Sequence, residues 1–300
     1  MIIISDTPGQ LSNQLWAYCN MIALAKECNA NIAIVLNRGY YDMLDTPHIK
    51  LFRNIKIYPD DSFAAKCIKR VSGFIRFRIR TKGFFQFLIK HLPVRVIENY
   101  ISENQFKSCY KQYHYYFLNS WEQRSNKLFF IKHYSFIRSL ILPYVNTRTN
   151  VDERMRLLKT ETPVIVGVHI RRGDYKQFMG GSFFFNDDIY AGYIKQLQLL
   201  LQPHKVLFYI FSHEKIDINN FKDLNIYFKK DQSPISDLWA MSQCNYIIGP
   251  PSTFSMWASF WKEAPLCFID QLAMQLSLHQ FRPVIAQDVF KERNMKNQEF

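Results

Sequence analysis

Two adjacent arginines, Arg171 and Arg172, follow the apolar run Val164–Ile170 and open the sequence Arg-Arg-Gly-Asp-Tyr, ending at Tyr175. Guanidinium forks match phosphate oxygens in bidentate fashion, and a pair at the end of a buried strand is costly unless an anion meets it. A diphosphate is the expected counter-ion. The competing assignment is structural, with an arginine paired to Asp174 or another surface carboxylate. A second anion site is expected where Tyr246–Gly249 leads into Pro250, Pro251, Ser252, Thr253, Phe254 and Ser255. Ser252 is placed as an N-cap, and the free amides at a helix start attract negative charge. The plain alternative there is an ordinary cap, worth about 1 kcal/mol. A third turn, from Gly9 through Ser12 and Asn13 to Gln14, also leads from strand to helix, but its single glycine fits neither the dinucleotide fingerprint nor a P-loop. No Asp-x-Asp metal clamp is present, so no metal ligands are expected, and arginines and amides are left to neutralise an anionic leaving group.

These turns need a scaffold that presents them together. Ile2–Ile4 reads as a buried strand, residues 13–28 as a helix and residues 31–36 as a second strand, which makes one βαβ unit. From Val151 onward the alternation is regular. Helices are expected at 151–159, 187–201, 235–244 and 253–261, and strands at 164–170, 206–211, 224–228, 246–248 and 266–269. Apolar strands alternating with amphipathic helices predict a parallel sheet covered on both faces, with ligands beyond the carboxyl ends of the strands. The polar stretch 146–150 is the natural boundary, which gives an N-terminal domain of residues 1–150 and a C-terminal domain of residues 151–300.

At 48% hydrophobic content the chain is an ordinary folded protein, which excludes disorder for its bulk. A formal charge of +13 directs attention to phosphate-bearing partners. The six cysteines lack metal-ligand spacing and read as reduced, mostly buried thiols, and no signal peptide or membrane span is recognisable, so a cytoplasmic location is expected. Between Asp61 and Glu98 there is no acidic residue, while Lys66, Lys69, Arg70, Arg76, Arg78 and Arg80 alternate with Phe74, Ile75 and Phe77. This basic aromatic insertion, around residues 62–97, suits an anionic membrane surface. It equally suits a solvated basic face over a helix whose other side is core.

His169-Ile170-Arg171-Arg172-Gly173-Asp174-Tyr175 resembles the H-x-R-R-G-D-Y motif of the α-1,2-fucosyltransferase family. The turn from Gly9 through Asn13 and Gln14 to Trp16 resembles that family's N-terminal G-x-L-G-N-Q turn. The block from Asp237 through Met241, Ser242 and Cys244 to Ser252, Thr253, Phe254, Ser255 and Trp257 resembles its D-x-x-x-M-S-x-C and S-T-F-S-W-W sequences. The resemblance implies an α/β chain of GT-B architecture, in which two Rossmann-like domains face a central cleft and the C-terminal one holds GDP-fucose. It further implies inversion at the sugar carbon and no cofactor or required metal. Arg171 would contact the β-phosphate and stabilise the departing GDP, Arg172 would support it, and His169 would orient the arginine loop. Ser252, Thr253 and Ser255, with Phe254 between them, would hold the diphosphate, and Asp237 the nucleotide side. Gly9, Asn13 and Gln14 join the expected donor-binding set.

The chain departs from the family pattern at Ser12, Pro251 and Met256, and it has Phe211-Ser212-His213-Glu214 where relatives show an acidic F-S-D-D. That loop is expected near the base of the nucleotide, so His213 bears on donor choice and keeps open a transferase using another sugar nucleotide. For the base that accepts the acceptor proton, Asp174, Asp6 and His169 all remain open. The expected partners are a nucleotide-sugar donor, a galactose-like glycan or lipid-linked oligosaccharide acceptor of surface polysaccharide or O-antigen synthesis, and the inner face of the plasma membrane. Nucleic acid is not expected. A non-catalytic protein binding nucleic acid or anionic membrane is the alternative of a different class.

Overall fold

The run Ile2–Ile4 forms the central strand, β1, of a parallel sheet in the computed structural model, which describes residues 1–80, 92–124, 127–229 and 233–286. Among the described residues the chain divides into two α/β units, one over residues 1–144 and the other over residues 145–286. In the first unit β1 is followed by α1 (Leu11–Glu27), β2 (Ile32–Leu36), α2 (Arg38–Met43), α3 (Thr46–Lys50), β3 (Ile55–Pro59) and α4 (Phe63–Arg80). After these come β4 (Val94–Ile97), α5 (Glu103–Cys109), β5 (Tyr115–Leu118), α6 (Leu128–Lys132) and α7 (Tyr134–Leu140). The sheet order is β3-β2-β1-β5-β4 with every pair parallel. Every residue of β1 and β2 is buried, as expected of strands covered on both faces. At the end of α1, Glu27 accepts from Lys107 on α5 at 2.5 Å, ion-pairs with Lys132 at 2.8 Å and hydrogen-bonds to His133 Nε2 at 2.9 Å. These hydrogen bonds hold its carboxyl at about 2 and join three helices.

The segment expected to be an insertion is, over Phe63–Arg80, an integral part of this sheet: α4 is the crossover from β3 at one edge to β4 at the other. Ile68 and Ile75 on its inner face pack with Met1, Ile3, Val94, Val96 and Phe117. The Ser72 and Ser5 hydroxyls lie 2.8 Å apart, and Arg76 donates to the Leu118 carbonyl at 3.2 Å. The rest of that stretch, residues 81–91, lies outside the described residues.

The second unit comprises α8 (Val145–Glu161), β6 (Val164–His169), α9 (Asp187–Leu200), β7 (Val206–Phe211), β8 (Ile226–Phe228), α10 (Pro234–Met241), β9 (Tyr246–Gly249), α11 (Thr253–Lys262) and β10 (Leu266–Phe268). The strand order is β10-β9-β6-β7-β8, again all parallel. The expected alternation from Val164 onward is met element by element. The stretch 146–150 lies inside α8, and the division between the units falls directly before that helix, between Tyr144 and Val145. Val166, Val168 and Ile170 pack with Tyr190, Ile194 and Leu197 of α9 in the core. All six cysteines are free thiols, four of them buried. Among the described residues no helix is long and apolar enough to cross a membrane, and no group of His, Cys, Asp or Glu is placed to hold a metal ion.

Candidate functional site

From β6 the second sheet grows outward through β7 to β8, and then places β9 and β10 on the opposite side of β6. The strand order therefore reverses between β6 and β9, the position at which open parallel sheets generally receive ligands. The loops that leave these two strands are the arginine loop after His169 and the Pro250–Ser255 turn after Gly249. The two strand ends touch. A Cβ on Gly249 would lie 2.6 Å from the His169 carbonyl oxygen, so only glycine fits there. The His169 ring also packs on Phe254, with centroids 5.1 Å apart. A third link comes from buried Tyr175, whose hydroxyl donates to the Pro251 carbonyl at 2.6 Å. Tyr175→Phe is expected to lower stability by about 1 kcal/mol and to raise KM for the donor more than it lowers kcat, as read by denaturant unfolding and steady-state kinetics.

Both arginines already meet carboxylates. Arg171 Nε and Nη2 donate to Asp174 Oδ1 and Oδ2 at 3.1 and 3.0 Å, and the guanidinium lies 5.4 Å from the Tyr175 ring. Asp174 thus spends both oxygens aligning Arg171, which disfavours it as the acceptor's base. Arg172 donates to the Phe185 carbonyl at 3.3 Å and to the Asp187 carboxylate at the start of α9. The other Asp187 oxygen accepts from the Asp217 amide at 3.1 Å. With the two side chains 14% and 9% exposed, Arg172 anchors the loop that carries Arg171, the form its expected supporting role takes in this structure. Asp187 escaped the sequence analysis; its only signal was an acidic residue in the first turn of the expected helix 187–201.

At the start of α11, Ser252 accepts from the Phe254 amide at 3.2 Å, as an N-cap does. Ser255 is fully buried and its hydroxyl donates to the Ser252 carbonyl at 3.1 Å. That hydroxyl stiffens the turn from inside, in contrast to the expected diphosphate contact, whereas half-buried Thr253 occupies the first helical position. His169 is held down to about 3, first by burial and then by the charges of Arg171 and His213, so its imidazole is neutral at physiological pH. A base that weak is a poor acceptor for a hydroxyl proton. Its Nδ1 is buried without a hydrogen-bond partner. His213, in the exposed turn after β7, has its Nε2 3.7 Å from Glu214.

Asp237, on α10, is pushed up to about 7 by burial, against the opposing charge of Arg154 on α8. Because the folded chain keeps a proton that the unfolded one releases near 3.8, this group makes stability fall as pH rises from about 4 to about 7. Asp237→Asn is expected to remove that slope and to gain on the order of 4 kcal/mol over the wild type at pH 8 but not at pH 4, measured by urea unfolding.

Gly9, Asn13 and Gln14 belong to the first unit, at the carboxyl end of β1. Gly9 has φ +56°, and a Cβ there would lie 2.6 Å from Asn13 Nδ2. Buried Gln14 donates to the Gly9 carbonyl at 3.0 Å and fixes the turn. Asp6 accepts from the Ser120 amide at 3.1 Å and from its hydroxyl at 2.5 Å. Its carboxylate ties the turn after β1 to the turn after β5, which sets it apart from a free base.

Residues 82–267, more than half of the chain, match the model of glycosyl transferase family 11. The chain belongs to that family. This family 11 glycosyltransferase is 25% identical over 275 residues to an alpha-1,2-colitosyltransferase of Escherichia coli, covering 88% of this chain and 89% of that one. Its fold resembles that of a mutant of Arabidopsis thaliana FUT1 in complex with GDP, with TM-score 0.58 and 9% identity over 94% of this chain and 73% of that one. It also resembles the fucosyltransferase NodZ from Bradyrhizobium, with TM-score 0.50 and 15% identity over 90% and 95% of the two chains. These likenesses, with the two parallel five-stranded sheets, identify the GT-B fold expected from the sequence.

Proposed function

We propose that this glycosyltransferase moves fucose from GDP-fucose, with inversion, to a galactose-like hydroxyl in an α-1,2 linkage, during synthesis of a surface polysaccharide or O-antigen. The observation that carries this proposal is the joining of the arginine loop to the Ser252 turn, through Tyr175 and Pro251, at the point where the strand order reverses. In this assignment Arg171 meets the β-phosphate and the amides at the start of α11 meet the remaining diphosphate oxygens. Both sets of donors are fixed before substrate arrives, which is what stabilisation of a developing charge requires. His169 orients the arginine loop, Asp237 and His213 contribute on the base side, and no cofactor or metal takes part. With Asp174 and Asp6 committed to partners, the chemistry rests on stabilising the leaving GDP more than on a strong base.

Calorimetric titration with GDP in the absence of divalent metal tests the donor site. Micromolar binding that Arg171→Ala weakens severalfold supports it, and absence of binding by the wild type refutes it. The colitosyl-transferring relative at 25% identity, together with His213 in place of an acidic residue, favours one second reading, transfer of colitose from a GDP donor. A panel of GDP-fucose, GDP-colitose and UDP-sugars, read by product mass, separates the two.

A further inference from the structure

The outward face of α4 carries three exposed rings, Phe63, Phe74 and Phe77, at 83%, 52% and 60% exposure. Residues 63, 66, 70, 74 and 77 recur at helical spacing and share one side of the helix. Lys66 and Arg70 stand exposed among the rings, and the Arg78 guanidinium lies 5.2 Å from the Phe74 ring and 5.7 Å from the Phe77 ring. The opposite side, with Ala65, Ser72 and Ile75, is buried on the sheet. The basic residues at its flanks face the carboxylates: Lys69 lies 3.9 Å from Asp60 and Arg76 4.0 Å from Glu98, while Asp61 is taken by Arg38. Lys66 and Arg70 form no ion pair among the described residues.

A solvent-facing stripe of three phenylalanines is unusual on a soluble helix, and Lys66 and Arg70, with no ion-pair partner among the described residues, leave it positive. Rings at the headgroup boundary, flanked by cations, are the two features that hold a helix in the plane of an anionic bilayer. We propose that the outer face of α4 docks the enzyme on an anionic lipid surface, with Phe63, Phe74 and Phe77 inserted and Lys66 and Arg70 among the headgroups. The cytoplasmic leaflet carries that charge, which agrees with the location expected from sequence and brings lipid-linked acceptors within reach. The inference does not depend on the identity of the sugar donor.

Arg76 supports the fold and is unsuitable for charge reversal, whereas Lys66 and Arg70 are exposed helix positions whose change leaves the packing intact. Sedimentation of the full chain with phosphatidylglycerol–phosphatidylcholine vesicles is expected to show binding that weakens with salt, and pure phosphatidylcholine vesicles to show little. The pair Lys66→Gln with Arg70→Gln is expected to lower partitioning about 30-fold. Phe74→Ser with Phe77→Ser is expected to lower it at least about tenfold, with the unfolding midpoint unchanged in both variants. Binding to neutral vesicles as strong as to anionic ones, no binding by the wild type, or full binding by the Lys66 and Arg70 variant overturns the proposal. A concentration-dependent dimer that the phenylalanine variant abolishes, without vesicle binding, also overturns it, in favour of contact between two copies.

Discussion

Arg171→Ala is expected to lower kcat/KM with GDP-fucose by about 1000-fold, most of it in kcat. A fixed donor aimed at a leaving oxygen acts chiefly in the transition state, where charge accumulates, so its loss weakens GDP binding less than it slows turnover. The side chain suits that task because it is 16% exposed and both of its bonds to Asp174 are fork-to-fork. Arg171→Lys is expected to recover little, since an ammonium neither forms the bidentate pair nor stacks on Tyr175. Asp174→Asn separates the two roles assigned to that carboxylate. A base is expected to take nearly all activity with it, whereas a positioning residue costs about tenfold and leaves the pH profile unchanged, the outcome expected here. Steady-state rates over pH 6–9 with both variants decide the matter, and an Arg171→Ala enzyme of normal kcat/KM removes the leaving-group role.

The second unit was legible in the sequence because its inner strands, β6, β7 and β9, are buried on both faces. Val206–Phe211, buried at every position, could be read as nothing but an interior strand. The first unit was less so. Its edge strand β3 carries exposed Lys56 at its second position, and β4 has Arg95 in the middle of four residues, so neither shows the continuous apolar run of a covered strand. At the site, residue types and the order of the loops were readable, but partners were not. The Tyr175 hydroxyl meets a carbonyl 76 residues away, and the Asp6 carboxylate meets Ser120 across 114. Such contacts follow from the strand order, and a local pattern carries no trace of it. The basic aromatic stretch shows the same limit: composition announced an amphipathic helix, while its role as a sheet crossover became visible only with β4 in place.

The Arg172–Asp187 pair carries the largest expected effect on stability. Its charges are removed from water, and Asp187 also receives the Asp217 amide, so one carboxylate joins the arginine loop, the start of α9 and the turn after β7. Removing one partner strands the other charge without compensation. Arg172→Ala and Asp187→Ala are each expected to lose about 3–5 kcal/mol in urea unfolding at pH 7. The double variant leaves no stranded charge and is expected to lose clearly less than the sum of the two, with a coupling of about 2 kcal/mol. Additive losses show that the two groups act independently and remove the anchoring role. The cycle also bears on function. Asp187 has no place in the proposed chemistry, so an Asp187→Asn enzyme that remains folded but binds GDP about tenfold more weakly than the wild type shows that the anchor sets the position of Arg171. A folded Asp187→Asn enzyme with unchanged GDP affinity shows that the Asp174 pair and the Tyr175 link hold the loop without it.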